Sequence, residues 1–250
     1  MVKIGIIGGS GLDNPDILHD AQDISLETPY GPPSSDIRAG TIAGREVYLL
    51  ARHGRGHTIP PTQVNYRANI YAMKTLGCSC LLSTTAVGSL REEIGRGDLV
   101  ILDQFIDFTK LRVATFHDSF EPGNPAHTPM ADPFAADIRA HFIDICRELG
   151  FPHHARGTVV TIEGPRFSTR AESKMFQTWG ADVINMSIAP EAALANEAGI
   201  PYGAVAMSTD YDCWKQDEEP VTWDDILRVF NENARKVTTL LVETIKRVKM

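Results

Sequence analysis

The chain has no long apolar run, little cysteine and no excess of positive charge, and each shortage excludes a class of protein. No stretch approaches the ~20 apolar residues that a membrane-spanning helix requires. The four cysteines, Cys78, Cys80, Cys146 and Cys213, form no C-x-x-C pair. Neither a disulfide framework nor a metal site is expected, and the thiols read as reduced and cytoplasmic. A net charge of -8 leaves no basic footprint for nucleic acid or an anionic membrane. The N-terminus lacks a secretory-leader pattern, and residues 2–7 already read as a strand, so the fold is expected to begin there. Repeats and low-complexity tracts are missing too. What is present, 250 residues of which 43% are hydrophobic and 22% charged, suffices for one substantial core or two small ones.

Apolar runs alternate with helical spacings along the chain, the pattern of an α/β protein with a largely parallel sheet. Residues 3–7 lead into Gly8-Gly9-Ser10-Gly11, a turn whose exposed N–H groups suit an oxyanion. It is not a dinucleotide fingerprint, since Asn14 stands where glycine is wanted, and no G-K-[ST] follows for a P-loop. A turn glycine-rich for backbone reasons alone fits it equally. Residues 37–42 and 46–51 read as a hairpin pivoting on Gly44, which delivers Arg52-His53-Gly54-Arg55-Gly56-His57 at a strand exit. Arginine presents a planar fork to phosphate and histidine adds a donor. A helix is expected over 62–76 with Gly77 as its stop. A buried strand over 80–85 then leaves Thr84-Thr85-Ala86-Val87-Gly88-Ser89 at its exit, where hydroxyls and N–H groups can face the same anion. Residues 99–101 read as a further strand.

Residues 107–133 are polar and contain Pro122, Gly123, Pro125 and Pro129; loops of this length tend to be functional or disordered. His117 and His127 within it either reach a neighbouring subunit's site or are plain surface histidines. A helix over 135–149 ends at Gly150. A strand over 156–162 leads to Phe167, which either stacks on a base or packs in the core, and to Ser168 or Thr169 as the cap of a helix reaching Trp179. A strand over 182–185 ends in Asn185-Met186-Ser187, with Met186 suited to a sugar face and Ser187 to an anion. Pro190 opens the helix that follows.

The run from Ala204 to Thr209 ends in Asp210 and Asp212, two carboxylates one residue apart. Neighbouring carboxylates repel, and one relieves the repulsion by keeping its proton. An acid beside a carboxylate donates one hydrogen bond and accepts another, which matches the N7 acceptor and 6-amino donor of a 6-aminopurine. An ordinary acidic turn plugged by Tyr211 is the alternative. Asp217, Glu218 and Glu219 read as a solvated turn. Thr222 and Asp225 form a capping box for a last helix whose apolar side carries Ile226, Val229, Phe230, Val237, Leu240, Leu241 and Ile245.

Polar groups thus stand at five strand exits: Ser10, Arg52 with His53, Thr84 with Thr85, Asn185 to Ser187, and Asp210 with Asp212. Ligands of open α/β sheets sit at the carboxyl ends of the strands. An anion pocket facing a purine-matched acid pair, with room for a ribose between, suggests transfer of a sugar from a purine to phosphate.

Five ordered motifs carry a resemblance over nearly the whole chain. They are Gly5-Ile6-Ile7-Gly8-Gly9-Ser10-Gly11, Leu50-Ala51-Arg52-His53-Gly54-Arg55, Thr161-Ile162-Glu163-Gly164-Pro165-Arg166-Phe167, Ala181-Asp182-Val183-Ile184-Asn185-Met186 and Thr209-Asp210-Tyr211-Asp212-Cys213-Trp214. Together they resemble the trimeric purine nucleoside phosphorylase family, and within it the 5'-methylthioadenosine phosphorylases. The resemblance implies one domain over 1–250, with a central mixed, largely parallel β-sheet flanked by helices. It implies that Ser10, Arg52, His53, Thr85, Ala86 and Ser187 hold phosphate, Met186 contacts ribose and Phe167 the base, with Ser168 and Trp223 as further substrate contacts. Asp210 would serve as general acid at N7 and Asp212 would accept from the 6-amino group. His127 would close a neighbour's site in a homotrimer or a dimer of trimers. The implied reaction converts 5'-methylthioadenosine and phosphate to adenine and 5-methylthioribose 1-phosphate, with no cofactor and no metal.

At the 5' end, several relatives carry a smaller aliphatic residue in place of Trp223 and a C-terminal extension that this chain lacks. The methylthio pocket is therefore expected to differ, which leaves 5'-deoxyadenosine and adenosine as further substrates. Ser10 and Ser187 replace frequent threonines and keep the hydroxyls. Two alternatives stand beside this reading. One is a purine nucleoside phosphorylase for inosine or methylthioinosine, against which the acid pair speaks. The other is a purine-binding module or hydrolytic nucleosidase, against which Arg52 and His53 speak.

Overall fold

A computed structural model describes residues 2–9, 17–216 and 222–249, without the side chains of residues 223, 226, 227, 230 and 232. Ser10, the acidic run at 217–219 and the side chains of Trp223, Ile226 and Phe230 therefore lie outside the described residues. In chain order the elements are β1 (Lys3–Gly8), β2 (His19–Ile24), β3 (Ile37–Ile42), β4 (Arg45–Ala51), α1 (Tyr66–Thr75), β5 (Cys80–Ser89), β6 (Leu99–Ile101) and β7 (Gln104–Phe108). They continue with α2 (Ala136–Leu149), β8 (His153–His154), β9 (Thr158–Ile162), α3 (Arg170–Thr178), β10 (Val183–Asn185), α4 (Ile188–Glu197), β11 (Tyr202–Tyr211) and α5 (Trp223–Arg247).

Continuous Ile, Leu and Val runs need cover on both faces of a sheet, and helices provide it here. Alternation along the strands divides the core. Ile7, Leu50 and Leu81 pack with Tyr66 and Ile70 of α1 and Ile188 and Leu194 of α4. Ile4, Ile6, Leu82 and Val205 pack on the opposite face with Ile138 and Phe142 of α2 and Leu240 and Leu241 of α5. Each such fully buried side chain contributes about 1.5–3 kcal/mol. Among the described residues, no helix is long and apolar enough to cross a membrane.

The mixed sheet runs β2-β3-β4-β1-β5-β10-β9-β7, with β11 joined to β5 and β6, and β8 to β6. β5 carries the middle. β11 pairs with it in parallel from Leu81 to Ser89. On its other edge β1 pairs only as far as Ser83, and antiparallel β10 takes over at Gly88. Among the described residues, no strand covers 84–87 on that edge, and there the cleft opens.

Several expected boundaries move. The strand expected to stop at Thr85 runs to Ser89, because β11 supports its whole length, so Thr84 and Thr85 sit mid-strand. Likewise Asp210 lies inside β11 rather than beyond it. The register shifts between Ser208 and Asp210, a bulge of the kind that re-aims side chains. The polar segment expected from residue 107 begins after Phe108, since β7 pairs residue for residue with β9. The expected helix over 62–76 narrows to α1, whose start is fixed by the Asn65 side chain accepting from the Ala68 N–H. β2 is polar and largely exposed, so it gave no apolar periodicity to read. Both ends of the capping box at Thr222 and Asp225 are formed, and Gly150 closes α2 in the left-handed region at φ 66°.

Candidate active site

The cleft is lined by Gly9, by Arg52, His53 and His57, by residues 85–88 of β5, by Ile162, Phe167 and Ser168, by Ile184 to Ser187, and by Thr209, Asp210 and Asp212. It spans about 760 Å³ of empty space, the solvent at its open mouth included. One rim therefore gathers every expected phosphate, ribose and base contact whose side chain is described; Thr84 stays off it, and so does His127. That residue lies exposed on the long segment, its ring 5.8 Å from Phe120, and does not line this chain's cleft. Phe167 is 46% exposed over the cleft, so core packing is not its role.

At one end the strands β1 and β4 deliver Gly9 and Arg52. Arg52 is 1% exposed, and its fork is paired with Glu191: Nε donates to Oε2 at 2.8 Å and Nη2 to Oε1 at 2.9 Å. Burial works against the guanidinium charge, but the Glu191 carboxylate outweighs it and keeps Arg52 ionised. Removing one partner of such a buried pair costs roughly 3–5 kcal/mol. A Cβ on Gly9 would stand 2.8 Å from Arg52 Nη1 and 3.0 Å from the Thr84 carbonyl oxygen. Only glycine lets the chain pass the guanidinium here.

His53 was expected to donate to the anion, and its surroundings indicate otherwise. Burial, followed by the neighbouring Arg52 charge, lowers its pKa to about 4, so the ring is neutral at pH 7. Its Nδ1 lies 3.0 Å from the Ile59 carbonyl oxygen. A carbonyl only accepts, so the proton belongs on Nδ1 and Nε2 presents a lone pair. An anion that carries its own proton is the matching partner. His57 stacks on His53 with ring centroids 4.5 Å apart.

A buried chain of hydrogen bonds sets the far wall. The Ala189 N–H donates to Thr161 Oγ1, Thr161 to Asn185 Oδ1 at 2.8 Å, and Asn185 Nδ2 to Thr85 Oγ1 at 3.2 Å. Ser187 occupies the N-cap position of α4 without using its side chain as a cap, so its hydroxyl remains for the cleft. Helix N-termini in this setting favour anions. Arg112, from the segment expected to be loop, bonds the carbonyl oxygens of Met186 and Glu163 and the Tyr66 hydroxyl. It fixes the backbone on which Met186 rides.

At the other end stand the two acids, each 5–6% exposed. Ser168 Oγ donates to the Asp212 carboxylate. Thr209 Oγ1 lies 2.7 Å from Asp210 Oδ1 and 3.2 Å from the Val87 carbonyl oxygen. One hydroxyl proton thus faces two acceptors. Gly88 makes the room: a Cβ there would lie 3.2 Å from Asp210 Oδ2 and 3.5 Å from Asp212 Cβ.

Sequence reasoning missed Glu191, Ser83 and Arg112. For Glu191 the usable signal was a lone carboxylate in the otherwise apolar first turns of α4, since a buried charge requires a partner. Among the described residues, no group of three or more His, Cys, Asp or Glu side chains stands ready for a metal ion.

A family model described as the Phosphorylase superfamily matches residues 3–246. The chain is 55% identical over 250 residues to the S-methyl-5'-thioadenosine phosphorylase of Danio rerio, covering 99% of this chain and 89% of that one. It is 53% identical over 244 residues to the protein of the same name from Thermofilum pendens, covering 98% and 91%. The solved structure of the methylthioadenosine phosphorylase from Schistosoma mansoni in complex with adenine matches with a TM-score of 0.93 at 41% identity, covering 98% of this chain and 91% of that chain. A mutant adenosine/methylthioadenosine phosphorylase from the same organism, in complex with methylthioadenosine, matches at 0.92 and 40%, with the same coverage.

Proposed function

Since the chain belongs to the phosphorylase superfamily, we propose that it cleaves 5'-methylthioadenosine with phosphate, giving adenine and 5-methylthioribose 1-phosphate. The observation that carries this reading is a single cleft with an arginine-based anion end and a two-carboxylate base end. Relatives at 53–55% identity bear the name of that activity.

In the proposed reaction phosphate rests against Arg52, His53, Thr85, Ala86 and Ser187, with Ser10 expected beside them. Met186 lies against the ribose, and Phe167 covers the base. The C1'–N9 bond breaks with its electron pair passing to the purine, through a transition state with positive charge on the sugar. Asp210 gives its proton to N7, and Asp212 accepts from the 6-amino group. A phosphate oxygen then forms the new bond to C1'. Phosphate is a co-substrate, and the chemistry draws on no cofactor or metal.

The reading extends to 5'-deoxyadenosine and adenosine, in keeping with the relative named for both adenosine and methylthioadenosine. It includes a homotrimer formed by the whole chain as one unit. Exposed Leu111, Val113 and Phe120 on the long segment support such an interface, which would bring His127 to a neighbour's cleft. Four thiols without disulfide partners accord with a cytoplasmic protein. The test is a substrate panel in phosphate buffer. Adenine release from methylthioadenosine at least about a hundredfold more efficient than hypoxanthine release from inosine supports the reading. Preference for inosine refutes it.

A further inference from the structure

Four of the five N–H groups of Arg52 are spent inside the protein. Two go to Glu191, one from Nη2 to Ser83 Oγ at 2.7 Å, and one from Nη1 to the Thr84 carbonyl oxygen at 2.9 Å. The second N–H of Nη1 is left for the cleft, and Nη1 sits against Gly9 on the cleft wall. Arg52 therefore offers a bound anion one directed hydrogen bond rather than its fork.

Glu191 sets that direction. It is fully buried in the first turn of α4, and Oε1 also accepts from Ser83 Oγ at 2.7 Å and from the Tyr202 hydroxyl at 2.6 Å. Oε1 is thus held from β5 and from β11 independently of the guanidinium, and Oε2 takes the Arg52 Nε–H. We propose that Glu191 is the positioning residue for phosphate, aiming the remaining Arg52 N–H through a carboxylate that touches neither substrate. The proposal rests on phosphate being the co-substrate.

A Gln at 191 cannot accept from both Nε and Nη2, because one of its two terminal atoms is itself a donor. One Arg52 N–H would face a donor, and the guanidinium would turn from its present plane. The expected result in E191Q is a KM for phosphate raised about tenfold or more, the loss of one hydrogen bond to a charged group. The KM for methylthioadenosine, and adenine binding measured without phosphate, stay within about twofold. Y202F keeps the ion pair and loses one contact to it, and should raise the phosphate KM about threefold with the same split. Where E191Q does not fold, Y202F decides by that split alone. An unchanged or lowered phosphate KM overturns the proposal, as does a parallel rise for both substrates, which a merely structural ion pair would give. If wild type releases no adenine with phosphate present, the proposed reaction has failed instead. Thermal stabilisation by inorganic phosphate, weaker in E191Q than in wild type, then reads the role of Glu191 separately, and equal stabilisation overturns it.

Discussion

Ser168 Oγ lies 2.7 Å and 2.5 Å from the two carboxylate oxygens of Asp212. A hydroxyl has one proton, so the serine holds the carboxylate in place yet leaves lone pairs on both oxygens. A 6-amino group can use them, whereas a 6-oxo group would face only acceptors. Replacing Asp212 by Asn should therefore cut kcat/KM for methylthioadenosine by about a hundredfold and narrow its preference over inosine. Competition assays with both nucleosides read this directly, and an unchanged ratio removes Asp212 from base recognition.

Asp210 is expected to behave differently from its neighbour. Asp210→Asn keeps the volume and the contact to Thr209 but has no acidic proton for N7. Adenine release should fall by roughly 10²–10⁴-fold, the usual worth of a general acid. Binding of adenine and the thermal midpoint should change little. Turnover near wild type in that variant would end the acid assignment.

His53 predicts a stability that depends on pH. Its folded pKa, about 4, lies below the unfolded value of about 6.5. Above pH 6.5 neither state is protonated there, and the residue adds no pH dependence. Between pH 6.5 and 4 the unfolded chain takes up a proton that the folded chain refuses, so stability falls as pH falls. The full loss approaches roughly 3 kcal/mol. Urea midpoints measured from pH 4 to 8 without phosphate should drop more steeply below pH 6.5 for wild type than for His53→Gln. Parallel curves would show that the buried ring titrates normally.

Leu111 is 79% exposed and Val113 49%, on either side of the buried Arg112 side chain. In the proposed trimer these apolar side chains are covered. Light scattering should give three times the 27.5 kDa chain mass, and Leu111→Glu should lower it. A monomeric wild type with full activity would rule out any need for His127 from a neighbour.

Much of the site was legible because charged residues interrupt apolar strands where they leave the core. Arg52, Asp210 and Asp212 each follow a run of buried aliphatic residues, and that contrast marks them. Glu191 left no such mark: a carboxylate in a helix first turn also reads as dipole compensation. Its burial depends on Arg52, which is 139 residues away in sequence. The length of β5 was hidden for a related reason, since the support for residues 86–89 comes from β11 and β10 rather than from local propensity. β2 shows the limit from the other side, an exposed edge strand of polar residues with no periodicity to detect.

In the proposed reaction phosphate, not water, takes the sugar. Adenine release from methylthioadenosine should be measured in carefully dephosphorylated buffer and again after adding phosphate, with the sugar product followed by phosphorus NMR. No steady release is expected without phosphate, and with it one sugar 1-phosphate should form for every adenine. Equal release in both buffers, with free methylthioribose as the product, would contradict the proposed reaction.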